Sequence, residues 1–377
     1  MAVAPADHRL RFEMKTFKCT NCNSRVYFEN VACIACQHAL GFDASTTEML
    51  ALTAQPDGLF KRVGRAADSL VRYCANAKPG VCNWLTSADD LNPFCRACDL
   101  NRTIPNLAEY GSLAAWRELE LAKKRLVYSL LRFRLPTDGG GSSIGPLTFD
   151  FVRNMMTGHL DGVITVNVLE ADAVERERQR QIFDEPYRSL LGHLRHECGH
   201  YYWRLLVESG GRIEDFRRLF GDEQPDYMSA LSRHYSEGAS ADWQLRHVSA
   251  YASCHPHEDW AETWAHYLHM VDAVETAEAT GMEPRAAGFI TGSIWPFKTY
   301  DVYRDETFDA LMERWIPLTI AMNSLSRSMG HHDFYPFVIP SAALEKLEFV
   351  HSAIRGTVRQ TTQRQNQAAA PAVASQR

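Results

Sequence analysis

The segment His196-Glu197-Cys198-Gly199-His200 places two imidazoles and a carboxylate at a spacing that suits metal chemistry. On an α-helix, residues four positions apart share a face, so His196 and His200 can reach the same ion. Glu197 follows the first histidine and can act as a general base toward a water on that ion. This H-E-x-x-H pattern predicts a zinc site that activates water for hydrolysis.

A catalytic zinc needs a third protein ligand and an open fourth position. The best source is the segment 251–262, where Glu258 and Glu262 stand four apart on one predicted helix. We favour Glu258 as the ligand and Glu262 as the carboxylate that bonds the free nitrogen of a zinc-bound histidine. The alternatives left open are Glu262 as the ligand with Glu258 or Asp259 in support, and a nitrogen from His266 or His269.

Eight of the ten cysteines lie between residues 19 and 98. The first set consists of two Cys-x-x-Cys pairs, Cys19 with Cys22 and Cys33 with Cys36. Each pair can aim two sulfurs at one ion from a tight turn, and together they predict a structural four-thiolate zinc site. So short a segment has little core of its own, so metal binding would supply its folding energy.

The second set has a looser spacing and consists of Cys74, Cys82, Cys95 and Cys98. We interpret it as a second structural zinc site, since nearby prolines and glycine provide turns. One zinc plus several buried thiols is the alternative. Iron bound as in rubredoxin also fits the spacing. The predicted cofactors are therefore one catalytic and one or two structural zinc ions.

The elements that position these residues can be predicted from their periodicity. Apolar residues recur at helical spacing over residues 106–135, and a glycine-rich joint follows at 136–143. The β-branched run 162–168 predicts a strand. Residues 185–208 and 257–279 predict two helices, which carry the two halves of the metal motif.

Composition is that of a globular protein, with 45% hydrophobic residues, 23% charged residues and a net charge of −6 over 377 residues. No apolar run is long enough to span a membrane, and the N-terminus lacks the apolar core of a secretory signal. We therefore expect a cytoplasmic protein without a membrane partner. In that reducing compartment paired cysteines are metal ligands rather than disulfides.

The motifs resemble a known family. The order H-E-x-G-H then E-x-x-x-E is similar to gluzincin metallopeptidases, and a tyrosine seven residues before the third ligand resembles lethal-factor-type and Pro-Pro-endopeptidase-type enzymes. That resemblance implies that Tyr251 helps to stabilise the oxyanion, the alternative being a buried tyrosine in the cleft wall. Over residues 14–355 the chain resembles the bacterial "putative zinc-binding metallopeptidase" family, through FKCTNC…CIAC, FCRACDLNRTIP, LRHECGHYYW and SAYASCHPHEDWAETWAHYLH.

These observations predict an α+β, mostly helical chain with a rubredoxin-like zinc ribbon at residues 1–45 and a second cysteine-rich segment at 46–105. A zincin-like domain at 106–356 and a disordered tail at 357–377 complete it. The predicted function is zinc-dependent hydrolysis of peptide bonds in a peptide or protein substrate, through a zinc-activated water with Glu197 as general base.

The alternative is a catalytically silent binding or regulatory protein that acts through its zinc ribbon. Nucleic acid is a partner only if the ribbon presents a basic face that bears aromatic residues. The residues that could form such a face are Lys15, Lys18, Arg25, Phe17, Tyr27 and Phe28.

Overall fold

The computed structural model describes residues 16–64, 70–182, 185, 187–282, 301–304 and 307–369, with side chains described as far as residue 356. The fold is mixed α/β, and 47% of it is helical. In the described part of the chain, no helix is both long and apolar enough to cross a membrane.

The N-terminal part is built from short antiparallel strands. A two-stranded ribbon is followed by a five-stranded sheet of order β3-β4-β5-β6-β7. The hairpin of β3 and β4 crosses residue 45, so the boundary predicted there falls inside one sheet. The strands are β1 (Phe17–Lys18), β2 (Arg25–Val26), β3 (Ala39–Asp43), β4 (Glu48–Ala54), β5 (Phe60–Arg62), β6 (Val71–Tyr73) and β7 (Leu85–Ser87).

A second sheet of order β10-β11-β9-β8 belongs to the C-terminal part. Its strands are β8 (Asn101–Thr103), β9 (Thr148–Val152), β10 (Gly158–Leu160) and β11 (Val163–Asn167). Strand β9 pairs in parallel with both β8 and β11, while β10 forms an antiparallel edge. The strand predicted at 162–168 is confirmed as β11. Because β8 begins three residues after Cys98, this sheet ties the cysteine-rich region to the rest of the chain.

The helices carry the remaining structure. They are α1 (Ser112–Arg132), α2 (Ala173–Ile182), α3 (Leu190–Trp203), α4 (Ile213–Phe220), α5 (Tyr227–Glu237), α6 (Trp243–Arg246), α7 (Pro256–Thr280), α8 (Phe308–Ser328) and α9 (Ser341–Ala369). The final helix extends past residue 356, where the composition predicts a disordered tail. Residues 1–15 and 370–377 lie outside the described residues.

Both metal-motif helices start at defined caps. Helix α3 begins five residues later than predicted, because the Ser189 side chain accepts a hydrogen bond from the Gly192 amide and caps it. It continues into a π-helical turn, Arg204–Glu208. Helix α7 starts with a proline after His255, whose side chain accepts from the His257 amide. The helix predicted at 257–279 is thereby confirmed with nearly the same bounds.

Helix α1 joins the cysteine-rich region to the helical core. Lys124 donates a hydrogen bond to the Val81 carbonyl at 3.0 Å, and Arg125 forms an ion pair with Glu29 at 2.6 Å. One continuous apolar core runs from the ribbon through α1, α3 and α7. The ribbon is therefore packed on the C-terminal part and shares its core.

Helices α3 and α7 are in close contact at Gly199. A Cβ atom at this position would lie 3.0 Å from the Cα of Ala261 and 3.2 Å from the Trp264 ring. Trp260 reinforces the contact, since its indole N–H donates to the Gly199 carbonyl at 2.8 Å. The glycine in H-E-x-G-H is therefore favoured by packing, because a Cβ atom here would force its neighbours on α7 to shift by a few tenths of an ångström.

Replacing Gly199 by valine tests this packing. We expect Gly199→Val to lower the free energy of unfolding by about 2 kcal/mol or more, which is the cost of a strongly overpacked core. Gly158→Val is the matched control, because nothing lies within 4 Å of a Cβ there. Denaturant unfolding of both variants measures the difference. Equal stability of the two would contradict the close approach.

Candidate metal centres and active site

The first cysteine set converges on one point. Sulfur atoms from Cys19, Cys22, Cys33 and Cys36 all lie within 4.8 Å of one another. Four thiolates about 2.3 Å from a tetrahedral zinc lie about 3.8 Å apart. The observed Sγ–Sγ distances are 3.7 Å for Cys19 and Cys36 and 3.6 Å for Cys22 and Cys33. The geometry therefore fits one zinc ion.

Each Cys-x-x-Cys pair of this set closes with a left-handed residue. Asn23 and Gln37 both have φ 61°, and their amides donate to the carbonyls of Cys19 and Cys33. This conformation turns the chain tightly enough to aim both sulfurs of a pair at one side. The two turns have the same structure although their sequences differ.

The second set is brought together by strand pairing. Cys74 follows β6 and Cys82 precedes β7, and these strands are antiparallel neighbours. The sulfurs of Cys82 and Cys95 lie 3.7 Å apart, and all four members of the set are within 4.8 Å of one another. All four are buried. The looser spacing in sequence is therefore compensated by the sheet.

The H-E-x-x-H histidines meet a carboxylate from α7. Nε2 of His196 lies 3.0 Å from Oε2 of Glu258, and Nε2 of His200 lies 3.5 Å from its Oε1. Ligand atoms about 2.1 Å from a tetrahedral zinc lie about 3.4 Å apart. The Glu258 side chain is 1% exposed. A buried carboxylate whose two oxygens face two imidazole nitrogens fits a metal ligand.

Glu262 has a different place. Its Oε1 lies 2.7 Å from Nδ1 of His196, the nitrogen that does not face Glu258. Its Oε2 accepts a hydrogen bond from Ser249 at 2.6 Å. Both oxygens are thus engaged, and the contact fixes the orientation of the His196 ring.

The other candidate donors have partners elsewhere. Asp259 pairs with Lys346 at 2.6 Å. His266 contacts the Tyr335 hydroxyl at 2.6 Å through Nδ1, and Nδ1 of His269 faces Arg195. These contacts favour Glu258 over the alternatives as the third ligand.

Glu197 lies at the wall of a large cleft of about 1870 Å³, which His196, Tyr251 and Glu262 also line. Burial raises the pKa of Glu197 to about 7, against the opposing effect of the neighbouring His196. Burial likewise lowers the pKa of His200 to about 3. A carboxyl whose pKa is near neutrality can both accept and donate a proton.

Two tyrosines lie beside the histidine pair. The centroid of the Tyr251 ring lies 5.9 Å from that of the His196 ring. The hydroxyl of Tyr227, from α5, donates to Oε1 of Glu258 at 2.8 Å. Burial and the Glu258 charge raise the pKa of Tyr227, so this phenol stays a donor. Sequence reasoning missed Tyr227, because no motif connects it with residues 31 positions away.

A second group that sequence reasoning missed lies in the same cleft. His193 is one turn before His196, and its Nδ1 lies 2.8 Å from Glu170. Arg188 contacts the same carboxylate at 3.2 Å. The signal was available in part, because helical spacing places His193 on the same side of α3 as Glu197.

Most of the thiol and aromatic residues near the metal motifs are buried in the core. Cys198 is fully buried, and burial raises its thiol pKa. Trp260 and Trp264 are buried between the helices, whereas Trp243 lines the cleft. In the ribbon, Phe17 and Phe28 are 7% and 3% exposed and belong to the core. They are therefore not available for stacking on nucleic-acid bases.

Comparison with known proteins defines the class. A family model described as "Putative zinc-binding metallo-peptidase" matches residues 112–353, and one described as a zinc-ribbon domain matches residues 16–109. The chain therefore belongs to this metallo-peptidase family and carries an N-terminal zinc-ribbon domain, as the sequence motifs indicated. The zinc-ribbon match covers both cysteine sets.

Full-length relatives occur in mycobacteria. Uncharacterized proteins of Mycobacterium bovis and of Mycobacterium tuberculosis are 41% identical over 347 residues, which is 90% of this chain and 95% of each relative. No solved structure matches the chain. The family and the domain order are thus shared with these relatives over nearly the whole length.

The two cysteine sets differ in exposure, and this predicts the order of metal loss. Cys22 is exposed and Cys36 partly so, whereas the second set is buried. In a His196→Ala/His200→Ala background, which leaves the two cysteine sets as the metal sites, we expect a colorimetric chelator to remove zinc from the first set faster than from the second. Cys22→Ser should eliminate the faster phase and Cys82→Ser the slower one. Loss of the slower phase in Cys22→Ser would reverse the assignment.

Proposed function

We propose that this protein is a zinc-dependent metallopeptidase of gluzincin type with a zincin-like catalytic domain. Its zinc ligands are His196, His200 and Glu258, and the two cysteine sets hold structural zinc ions. The observation that carries the proposal is that one ligand atom from each of these three side chains lies within 4.8 Å of the other two, with the Glu258 carboxylate buried. A silent binding protein would not require Glu197 beside that point.

The chain supplies the groups that peptide hydrolysis needs. Zinc, when bound, polarises the scissile carbonyl and makes water more acidic. Glu197 takes a proton from the attacking water and passes it to the leaving amine. Tyr251 donates a hydrogen bond to the oxygen that becomes negatively charged. Glu262 keeps the His196 ring in one orientation and tautomer.

The substrate we propose is a segment of peptide or protein. The cleft of about 1870 Å³ exceeds the roughly 300–1,000 Å³ that is usual for small-molecule sites. Its described walls carry partly exposed apolar side chains that suit the side chains of a peptide. They include Met155, Leu169, Ile182, Met282 and Phe334.

Elemental analysis tests the number of metal sites. We expect three zinc ions per wild-type chain and two in the double variant His196→Ala/His200→Ala, because the cysteine sets are separate from α3. His331→Ala/His332→Ala is the matched control, since both histidines are exposed. It should retain all three. An unchanged count in the first variant would mean that α3 holds no metal.

Replacing the general base tests the mechanism. Glu197→Gln should reduce peptide hydrolysis by about 10²–10⁴-fold, because the amide cannot accept the proton of the attacking water. Zinc content should stay at the wild-type value. Hydrolysis of a mixed peptide library, read by mass spectrometry, gives the measurement. Glu208→Gln, at an exposed position of the following turn, is the control and should behave as wild type. Wild-type activity in Glu197→Gln would rule out this mechanism.

A further inference from the structure

Helix α5 lies on the surface, and a glycine lies in the connection on each side of it. None of its described residues is buried. Gly221 precedes it with φ 99° and Gly238 follows it with φ 83°, conformations that side chains disfavour. A helix held in this way owes its position to a few specific contacts.

The specific contacts of α5 converge on the first turn of α7. Tyr227 places its ring 5.4 Å from the ring of His255, the residue that caps α7. Its hydroxyl continues inward to Oε1 of Glu258 at 2.8 Å. The Pro225 carbonyl, just before α5, lies 3.2 Å from Nε2 of His255. Tyr227 thus spans the distance from the surface helix to a carboxylate that is 1% exposed.

The two oxygens of Glu258 therefore differ. Oε1 accepts the hydrogen bond from Tyr227, while Oε2 faces Nε2 of His196. A carboxylate held at one oxygen cannot rotate freely about its terminal bond. Fixing a ligand before the metal arrives reduces the entropy lost on binding.

We propose that Tyr227 is a positioning residue, which orients Glu258 for zinc and couples the docking of α5 to metal binding. The inference rests on the proposed function, since it concerns the same site. Coupling of this kind is reciprocal: if the docked helix strengthens zinc binding, bound zinc must stabilise the docked helix by the same factor. This requirement provides two independent measurements.

The first measurement is zinc affinity. Tyr227→Phe removes one oxygen atom and keeps the ring that packs on His255. We expect the zinc dissociation constant of the site on α3 to rise about 10–100-fold, as for other lost partners of metal ligands. Competition with a chelator of known affinity gives the constant. Retention of the two cysteine-bound zinc ions shows that the variant is folded. Tyr110→Phe, the same change at a fully exposed position, should leave the constant unaltered.

The second measurement is hydrogen exchange of the α5 amides in wild-type protein. Exchange should be slower with three zinc ions bound than after a chelator has removed the one at His196 and His200. In Tyr227→Phe the two rates should become equal. This experiment tests the coupling between zinc binding and α5 even if the variant folds poorly, because its main comparison uses wild-type protein.

The outcomes separate this inference from the proposed function. A third zinc that wild type, Tyr227→Phe and Tyr110→Phe hold equally tightly would refute the positioning role and leave the metallopeptidase proposal intact. Exchange in wild-type α5 that ignores the metal would refute the coupling. Wild-type protein that holds only two zinc ions would overturn both proposals.

Discussion

The close packing of α3 on α7 is the constraint on which the candidate site depends. The histidines belong to one helix and Glu258 to the other, so the separation of the helices determines whether the three side chains can share an ion. At Gly199 that separation is set by contact with Ala261 and Trp264, since a Cβ atom there would lie only 3.0 Å from the Cα of Ala261. Because a well-packed core resists small changes in spacing, the ligand geometry is as rigid as the core itself.

The charges at this contact also need compensation. From α7, Glu258 faces both histidine rings of the motif and Glu262 faces His196 alone. Glu197 adds a third carboxylate from α3. Carboxylates withdrawn from water are stable only when they are paired or bind a metal. A divalent cation between His196, His200 and Glu258 would compensate part of this negative charge. Packing and electrostatics therefore both favour a metal at the same position.

The cysteine-rich region extends this arrangement through α1. Glu120 accepts a hydrogen bond from the Trp116 indole at 3.2 Å and forms an ion pair with Lys123 at 3.0 Å, both fully buried beside the second cysteine set. Tyr128, further along α1, donates to Glu275 of α7 at 3.0 Å. Metal bound by the cysteine sets would therefore support α1, which packs against α3 and bonds to α7.

The sequence alone determined the features that depend on local spacing. Residues four apart on a helix share a face, and two-residue gaps fit a metal-binding turn, so the H-E-x-x-H pair, the first cysteine set and the family could be predicted. Tertiary structure decided what joins distant segments. Glu258 and Glu262 have the same side chain and differ only in their contacts. Glu258 faces the Nε2 atoms of both histidines, whereas Glu262 contacts Nδ1 of His196. The second cysteine set depends on the pairing of β6 with β7. Tyr227 reaches Glu258 because the first residue of α5 lies beside the first turn of α7. Such contacts arise from packing between elements, which has no periodicity along the chain.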